Sequence, residues 1–370
     1  MSDFRVVICG GGIAAIEGLL RLRTLAGDGL DVTLLAPNEE LSYRHLAVHE
    51  PFSGPGIRRY PLRQIASRTG AGWVQDAAEW LDPAAQVLHT ETGAALEFDA
   101  LLLAVGGRLV VPFEHVTVFD DAHADEGYHG LIQDVETGYT RSVVLIVPEG
   151  PAWLLPAYEL ALMTAERAGS MGEEGLSVSV VTPEPAPLAA LGENASRAVG
   201  ELLDRAGVRV FENARPEVPE ARHVKVTPDG PELEAGRVVT LPRIEGRPLR
   251  NVPSVEGGFI PVDGHARVPG MAAHVFAAGD ATNLPLKHGG LGAQQADVAA
   301  AGIAAMAGAD VVPEPLRPVV RAVLHTGAKP LYITARLEGD TVQSEVTTTG
   351  WPADEKIVAE ELSPFLESLE

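Results

Sequence analysis

The sequence predicts an α/β fold with two dinucleotide-binding units and a short C-terminal region. Three observations carry this. Residues 4–37 read as a strand, a glycine turn, a helix and a second strand. The same grammar returns from Ser142, where "VVLIVPEG" answers "VVICGGG" and "SVSVVTP" answers "DVTLLAP". A chain of 370 residues is also long enough for two or three cores of ordinary size.

In the first unit, "FRVVICGGGIAAIEGLLRLRTLAGDGLDVTLLAP", Gly10, Gly12 and Ala15 form G-x-G-x-x-A between strand and helix. The first glycine permits the tight turn and the second lets backbone approach a pyrophosphate. The small third residue lets helix pack on strand. The helix start offers N–H groups and a positive dipole end to the phosphates. The acidic residue expected after the second strand is missing, since that position reads Ala36-Pro37-Asn38. Asn38, Glu39 or backbone groups are the candidates to replace it. Downstream, "LSYRHLAVHEPF" puts Tyr43, Arg44 and His45 on a loop that either covers the nucleotide or faces solvent. Arg44 is the preferred phosphate contact, because a guanidinium binds phosphate with two parallel hydrogen bonds.

Two further segments complete a pattern. "FDALLLAVGGR" is a buried strand ending in a glycine turn at Gly106. "HVFAAGDATNLPLKHGGLGAQQADVAAAGIAAM" is a strand, an acidic turn and an alanine-rich helix. With "GGGIAA", these resemble the two-dinucleotide-binding-domain flavoproteins, the glutathione-reductase-like superfamily. Within it the likeness is to the sulfide:quinone oxidoreductase and type II NADH dehydrogenase branch, and it covers nearly the whole chain. It implies two Rossmann-like domains and noncovalent FAD. It makes Gly279 and Asp280 the Gly-Asp pair at the cofactor, with Asp280 as a mere helix cap the alternative. Lys287, His288 and Gly289 then fall beside the flavin ring, and a helix starting near Gly292 to Gln294 points at its pyrimidine edge.

The domain boundaries expected are residues 1–108 with 245–320 for a discontinuous FAD-binding domain, 109–244 for a second, degenerate NAD(P)-like domain, and 321–370 for the C-terminal region.

The second unit departs from a nucleotide site. Its turn, "PEGPAWLLPAYEL", holds Gly150 alone, and Trp153 stands where backbone would approach a pyrophosphate, so NAD(P)H is a doubtful donor. The turn resembles that of sulfide:quinone oxidoreductases, where a glycine and a catalytic cysteine precede Pro-Ala-Tyr-Glu. Pro156, Ala157, Tyr158 and Glu159 keep that ending, and Trp153 fills the cysteine position. Only Cys9 remains, inside the first strand, so neither a disulfide nor a relay between paired thiols is available. The resemblance puts Trp153 and Tyr158 in the substrate pocket, with Trp153 either over the ring or in plain core between domains. It turns the Glu159 carboxylate toward the flavin as a proton donor with a raised pKa, a surface glutamate being the alternative.

Past residue 320, "RAVLHTGAKPLYITARLEGD" reads as strands and a turn, and "DEKIVAEELSPFLESLE" as an acidic amphipathic helix. The "HTG" turn offers Thr326 or His325 to the substrate side, or else faces solvent. The 28 Lys+Arg against 51 Asp+Glu, net −23, argue against nucleic acid or an anionic bilayer as partner. No apolar run is long enough to span a membrane, no H-E-x-x-H suggests a metal, and no G-x-S-x-G suggests a hydrolase. The expectation is a cytoplasmic FAD-dependent oxidoreductase without cysteine chemistry, with Glu159, Lys287 and His288 as its catalytic groups. Its electron partner would be a quinone-like small molecule or a carrier protein, and a homodimer is the default assembly. An NAD(P)H-dependent reductase and a non-catalytic flavin-binding sensor are the alternatives.

Overall fold

The computed structural model describes residues 4–44, 46–120, 124–173, 175–339, 341–352 and 356–369; His45 lies outside them. The chain opens with β1 (Phe4–Cys9), α1 (Ile13–Ala26), β2 (Leu30–Leu35), β3 (Gly72–Val74) and β4 (Ala100–Leu103). It continues through β5 (Thr117–Val118), α2 (Ala124–Glu136), β6 (Ser142–Ile146), α3 (Leu155–Ser170), β7 (Ser177–Val181), α4 (Glu193–Arg205), β8 (Arg209–Phe211) and β9 (Arg237–Thr240). It returns through β10 (Val275–Ala277) and α5 (Gly289–Met306), and finishes with β11 (Val319–Leu324), β12 (Leu331–Glu338), β13 (Thr341–Thr347) and α6 (Leu362–Glu367).

Two parallel sheets share one plan. The first runs β10-β4-β1-β2-β3 and the second β5-β9-β6-β7-β8. In each, the β-branched strand that opens a unit lies at the centre, buried on both faces, as in Val6 to Cys9 and Val143 to Ile146. The centre of such a sheet, beyond the strand C-termini, is where ligands bind in open α/β folds. β1 pairs with β2 from Phe4↔Leu30 to Cys9↔Leu35 and with β4 from Val6↔Ala100 to Cys9↔Leu103. Helices α1 and α5 cross closely on one face because both are small-residue-rich: a Cβ on Gly18 would meet Leu102 at 2.7 Å and Ala296 at 3.6 Å.

The chain passes between the sheets twice, and the two passes pair with each other, Arg108–Val110 against Arg243–Glu245 in an antiparallel ribbon. Strands β11, β12 and β13 form an antiparallel sheet whose Val320, Ala322, Leu324, Ile333 and Ala335 complete the core under the second parallel sheet.

The tail departs from the helix that its sequence suggests. Among the described residues of that tail only Leu362–Glu367 is helical. Residues before it run irregularly across the first unit, where Ile357, Ala359, Leu362 and Leu366 enter its core. That path is favoured because the buried Glu17 carboxylate accepts the N–H groups of Glu361 and Leu362, at 3.0 and 2.6 Å. The Tyr43 hydroxyl donates to the Ile357 carbonyl.

Candidate functional site

The C-terminal end of β1 builds a cradle. Gly10 has φ +131°, and a Cβ there would lie 2.0 Å from the Ala104 carbonyl oxygen, so only glycine fits between β1 and the end of β4. Gly12 opens α1 with no side-chain cap, and a Cβ on it would meet nothing within 4 Å. Ala15 is fully buried beneath that turn. The first N–H groups of α1 thus have no side-chain cap.

A second uncapped helix start meets the first. Helix α5 begins at Gly289, one turn earlier than the sequence suggested, after His288. A Cβ on Gly289 would come 2.9 Å from Ile13, and one on Gly292 would come 3.1 Å from the Cα of Gly279. Gly279, with φ +77°, leads into the Asp280 turn and is itself pressed against Ala14. Two positive helix ends therefore converge on one Gly-Asp turn, with Gly106 (φ +71°) open across from them. A dinucleotide with an anionic pyrophosphate fits those residues.

The amide that braces the turn is Gln295, whose Oε1 accepts from Gly279 N at 2.9 Å and from the Thr282 hydroxyl at 3.2 Å. Gln294, expected at the cofactor, instead bonds both the N–H and the carbonyl of Val319, at 3.0 and 2.8 Å, and its amide is committed to β11. Helical spacing explains the exchange, since neighbouring residues on a helix point about 100° apart. Asn38 is exposed in the bend after β2, and Arg44 is half-buried in the loop that follows.

Lys287 is almost wholly buried. Its Nζ donates to the Thr282 carbonyl at 2.5 Å and lies 3.8 Å from the centre of the Phe259 ring. Burial draws its pKa down to about 8, against the pull of Asp280. Burial likewise raises the Asp280 carboxyl, opposed by Lys287. His288 is held near 4 by burial and by the charge of Lys356, and among the described residues its Nδ1 has no hydrogen-bond partner.

The turn of the second unit reaches this segment. Ala152 bridges to Leu286, and Trp153 packs its ring 4.5 Å from that of His288. Trp153 is partly buried and packs against the apolar core of the second unit.

Glu159, one turn into α3, is completely buried. Its carboxylate receives Lys356 Nζ at 2.6 and 2.7 Å and the backbone N–H of His325 at 2.9 Å. Burial pushes its pKa up, while Lys356 and these hydrogen bonds oppose the rise. The carboxyl expected to stand alone is therefore half of an ion pair. Nothing in the sequence marked Lys356, a lone cation in an acidic tail. His49 and His325 meet edge to face at 4.2 Å, and burial with the charge of Lys356 lowers His49 to about 4. Both imidazoles line a cavity of about 250 Å³ with Phe52, Met163 and Thr326.

Tyr158, expected in the substrate pocket, is fully buried and donates its hydroxyl to Glu184, with Thr182 3.3 Å away. Glu184 follows β7, the place of the carboxylate that would take a nucleotide ribose. One of its oxygens, Oε2, accepts instead from Tyr158 and Thr182. Cys9 is buried in β1, which raises its thiol pKa and keeps it from nucleophilic use. Among the described residues no helix is long and apolar enough to cross a membrane.

Comparison with known proteins agrees with this architecture. A sulfide-quinone reductase of Aquifex aeolicus (strain VF5) is 28% identical over 195 residues, 49% of this chain and 43% of the relative, so the alignment spans less than half of that protein. The solved sulfide:quinone oxidoreductase of the same species superposes with a TM-score of 0.85 at 20% identity, covering 99% of this chain and 90% of that one. A NAD-dependent persulfide reductase from A. fulgidus gives 0.66 at 18% identity, over 91% of this chain and 64% of that one. Putidaredoxin reductase, solved in covalent complex with putidaredoxin, gives 0.67 at 15% identity, over 94% and 90%. The family described as pyridine nucleotide-disulphide oxidoreductase matches residues 4–302, and with FAD as the cofactor that its cradle fits, the chain belongs to that family.

Proposed function

We propose that the protein is an FAD-dependent oxidoreductase of the cytoplasm that works without cysteine chemistry and without NAD(P)H. It would exchange electrons with a quinone-like small molecule. The observation that carries this reading is the second unit's turn, where Trp153 packs on His288 and the carboxylate after β7, Glu184, accepts from Tyr158. The family and the fold are those of flavin oxidoreductases. The expected boundaries at 108/109 and 244/245 are retained as part of the proposal, supported by the paired crossing strands there.

Bound FAD supplies the two-electron chemistry of its ring. Gly10, Gly12, Ala15, Gly106, Gly279, Asp280 and Gly289 would hold the cofactor, with Asn38 and Arg44 at its rim. Lys287 would offset negative charge nearby, drawing on a pKa of about 8 that leaves it mostly protonated at neutral pH. Trp153 and His288 exclude water from one side. Glu159 and Lys356 form a buried store for a proton: the carboxylate holds one when its partner is displaced, and the ammonium gives one up to the same oxygens.

Anaerobic visible spectroscopy tests the reading. A yellow protein should keep its colour through additions of NADH and then NADPH and lose it with dithionite. Saturable bleaching at low nucleotide concentration would overturn the proposal. A second reading, reduction of an electron-carrier protein, draws on the putidaredoxin reductase likeness. Faster reoxidation of the reduced protein by an iron–sulfur carrier than by a soluble quinone would favour it.

A further inference from the structure

Three side chains on one stripe of α1, at i, i+4 and i+7, hold the C-terminal strap. Glu17 accepts the N–H groups of Glu361 and Leu362. Arg21 pairs with Glu361 at 2.9 Å and lies 3.7 Å from Glu360. The Thr24 hydroxyl donates to Glu361 at 3.0 Å. Opposite, on α5, stands Asp297, whose Oδ1 is buried without a hydrogen-bond partner among the described residues. The charged groups that act on Asp297 are Glu17 and Arg21 of α1 and Glu360 and Glu361 of the strap, four carboxyl groups with Asp297 itself against one guanidinium.

Such a cluster cannot ionise fully at low cost, because like charges at close range disfavour each other. Glu17 must stay an acceptor on both oxygens to hold the two N–H groups. The orphan oxygen of Asp297 makes it the member able to carry the proton. We propose that Asp297 keeps a proton beside the ionised Glu17, and that this proton seats the strap and so delivers Lys356 to Glu159. Loss of the proton to solvent adds an anion beneath Glu360 and Glu361 and loosens the strap. Glu17 and Asp297 are then positioning residues, acting on the Glu159–Lys356 pair from the far face of α1.

The direction of the pH effect follows from Asp297, raised from 3.8 to about 8 by burial and then by Glu17. A carboxyl raised in the seated form favours that form below its free value and loses the preference as pH rises through about 8. The inference does not depend on what the flavin reacts with.

Acetylation of Lys356 in the holoprotein, read by mass spectrometry against the exposed Lys329, reports strap seating. Between about pH 6 and about pH 9 the ratio should rise roughly threefold or more in the unmodified protein. It should stay flat in Asp297→Asn, which carries no charge to gain. A flat ratio in the unmodified protein, or an equal rise in the variant, overturns the proposal. Infrared spectroscopy gives a reading that needs no variant. The carbonyl band of a buried protonated carboxyl should fade with the same midpoint as the labelling rise, and separate midpoints would also overturn it.

Discussion

Lys356 Nζ sits 2.6 and 2.7 Å from the two carboxylate oxygens of Glu159, a bidentate contact between the C-terminal tail and the helix that follows the second βαβ turn. Both side chains are nearly or wholly buried, so the pair is shielded from solvent.

Lys356→Met would leave Glu159 buried and unpaired, and breaking such a pair from one side costs about 3–5 kcal/mol. Urea unfolding should report that loss, larger at high pH, where the carboxyl of the variant can no longer take up a proton in compensation. The double variant Glu159→Gln, Lys356→Met should recover most of it. A single variant within about 1 kcal/mol of the parent would contradict the pairing.

The two glycines of the first turn should behave differently. Gly10→Ala meets the Ala104 carbonyl at 2.0 Å and should fail to fold. Gly12→Ala finds open space and should fold, yet bind FAD about tenfold or more weakly by intruding on the pyrophosphate approach. Thermal melting and flavin content of the purified variants check both halves. Normal FAD affinity in Gly12→Ala would place the phosphates elsewhere.

Lys287→Met should retain FAD and slow its reduction about tenfold or more, through lost charge beside the ring. Burial lowers this lysine from 10.5 to about 8, so in the cofactor-free protein its cost is felt in full below 8 and relieved as pH rises toward 10.5. The parent should therefore gain stability over that interval, and the variant should not. Parallel pH profiles for the two proteins would refute the assignment.

Tyr158→Phe removes a hydrogen bond to a buried carboxylate and should destabilise the fold by about 1.5–3 kcal/mol. With Trp153 still in the turn, the variant should not acquire reduction by NADH. Saturable NADH-dependent bleaching in Tyr158→Phe would show that the hydroxyl alone excludes the nucleotide.

Much of the architecture was legible because local chemistry dictates it. Gly10 needs to be glycine for backbone reasons that the G-x-G-x-x-A spacing reveals, and Gly279, which the family resemblance marked, needs it for its positive φ. The groups that the sequence hid are held by contacts between distant segments. Gln295 rather than Gln294 braces the turn because a single helical position decides which amide faces inward. Glu184 and Tyr158 satisfy each other across α3 and β7, which no local pattern records. The tail looked like a solvated acidic helix, yet its Glu361 is tied to Arg21 and its Lys356 is buried. The periodicity that marks Leu362–Glu367 as helical gives no sign that the residues just before it take the irregular path that brings Lys356 to Glu159.

The antiparallel ribbon has a topological consequence. Arg108 is the register partner of Glu245, so the chain leaves the first sheet and re-enters it at neighbouring points. The segment between them enters and leaves the first unit through one doorway, and β11, β12 and β13 complete its core from outside that segment. An exchange of that segment for a relative's would leave every strand of the first sheet on its course, and would have to carry the antiparallel sheet of β11, β12 and β13 with it.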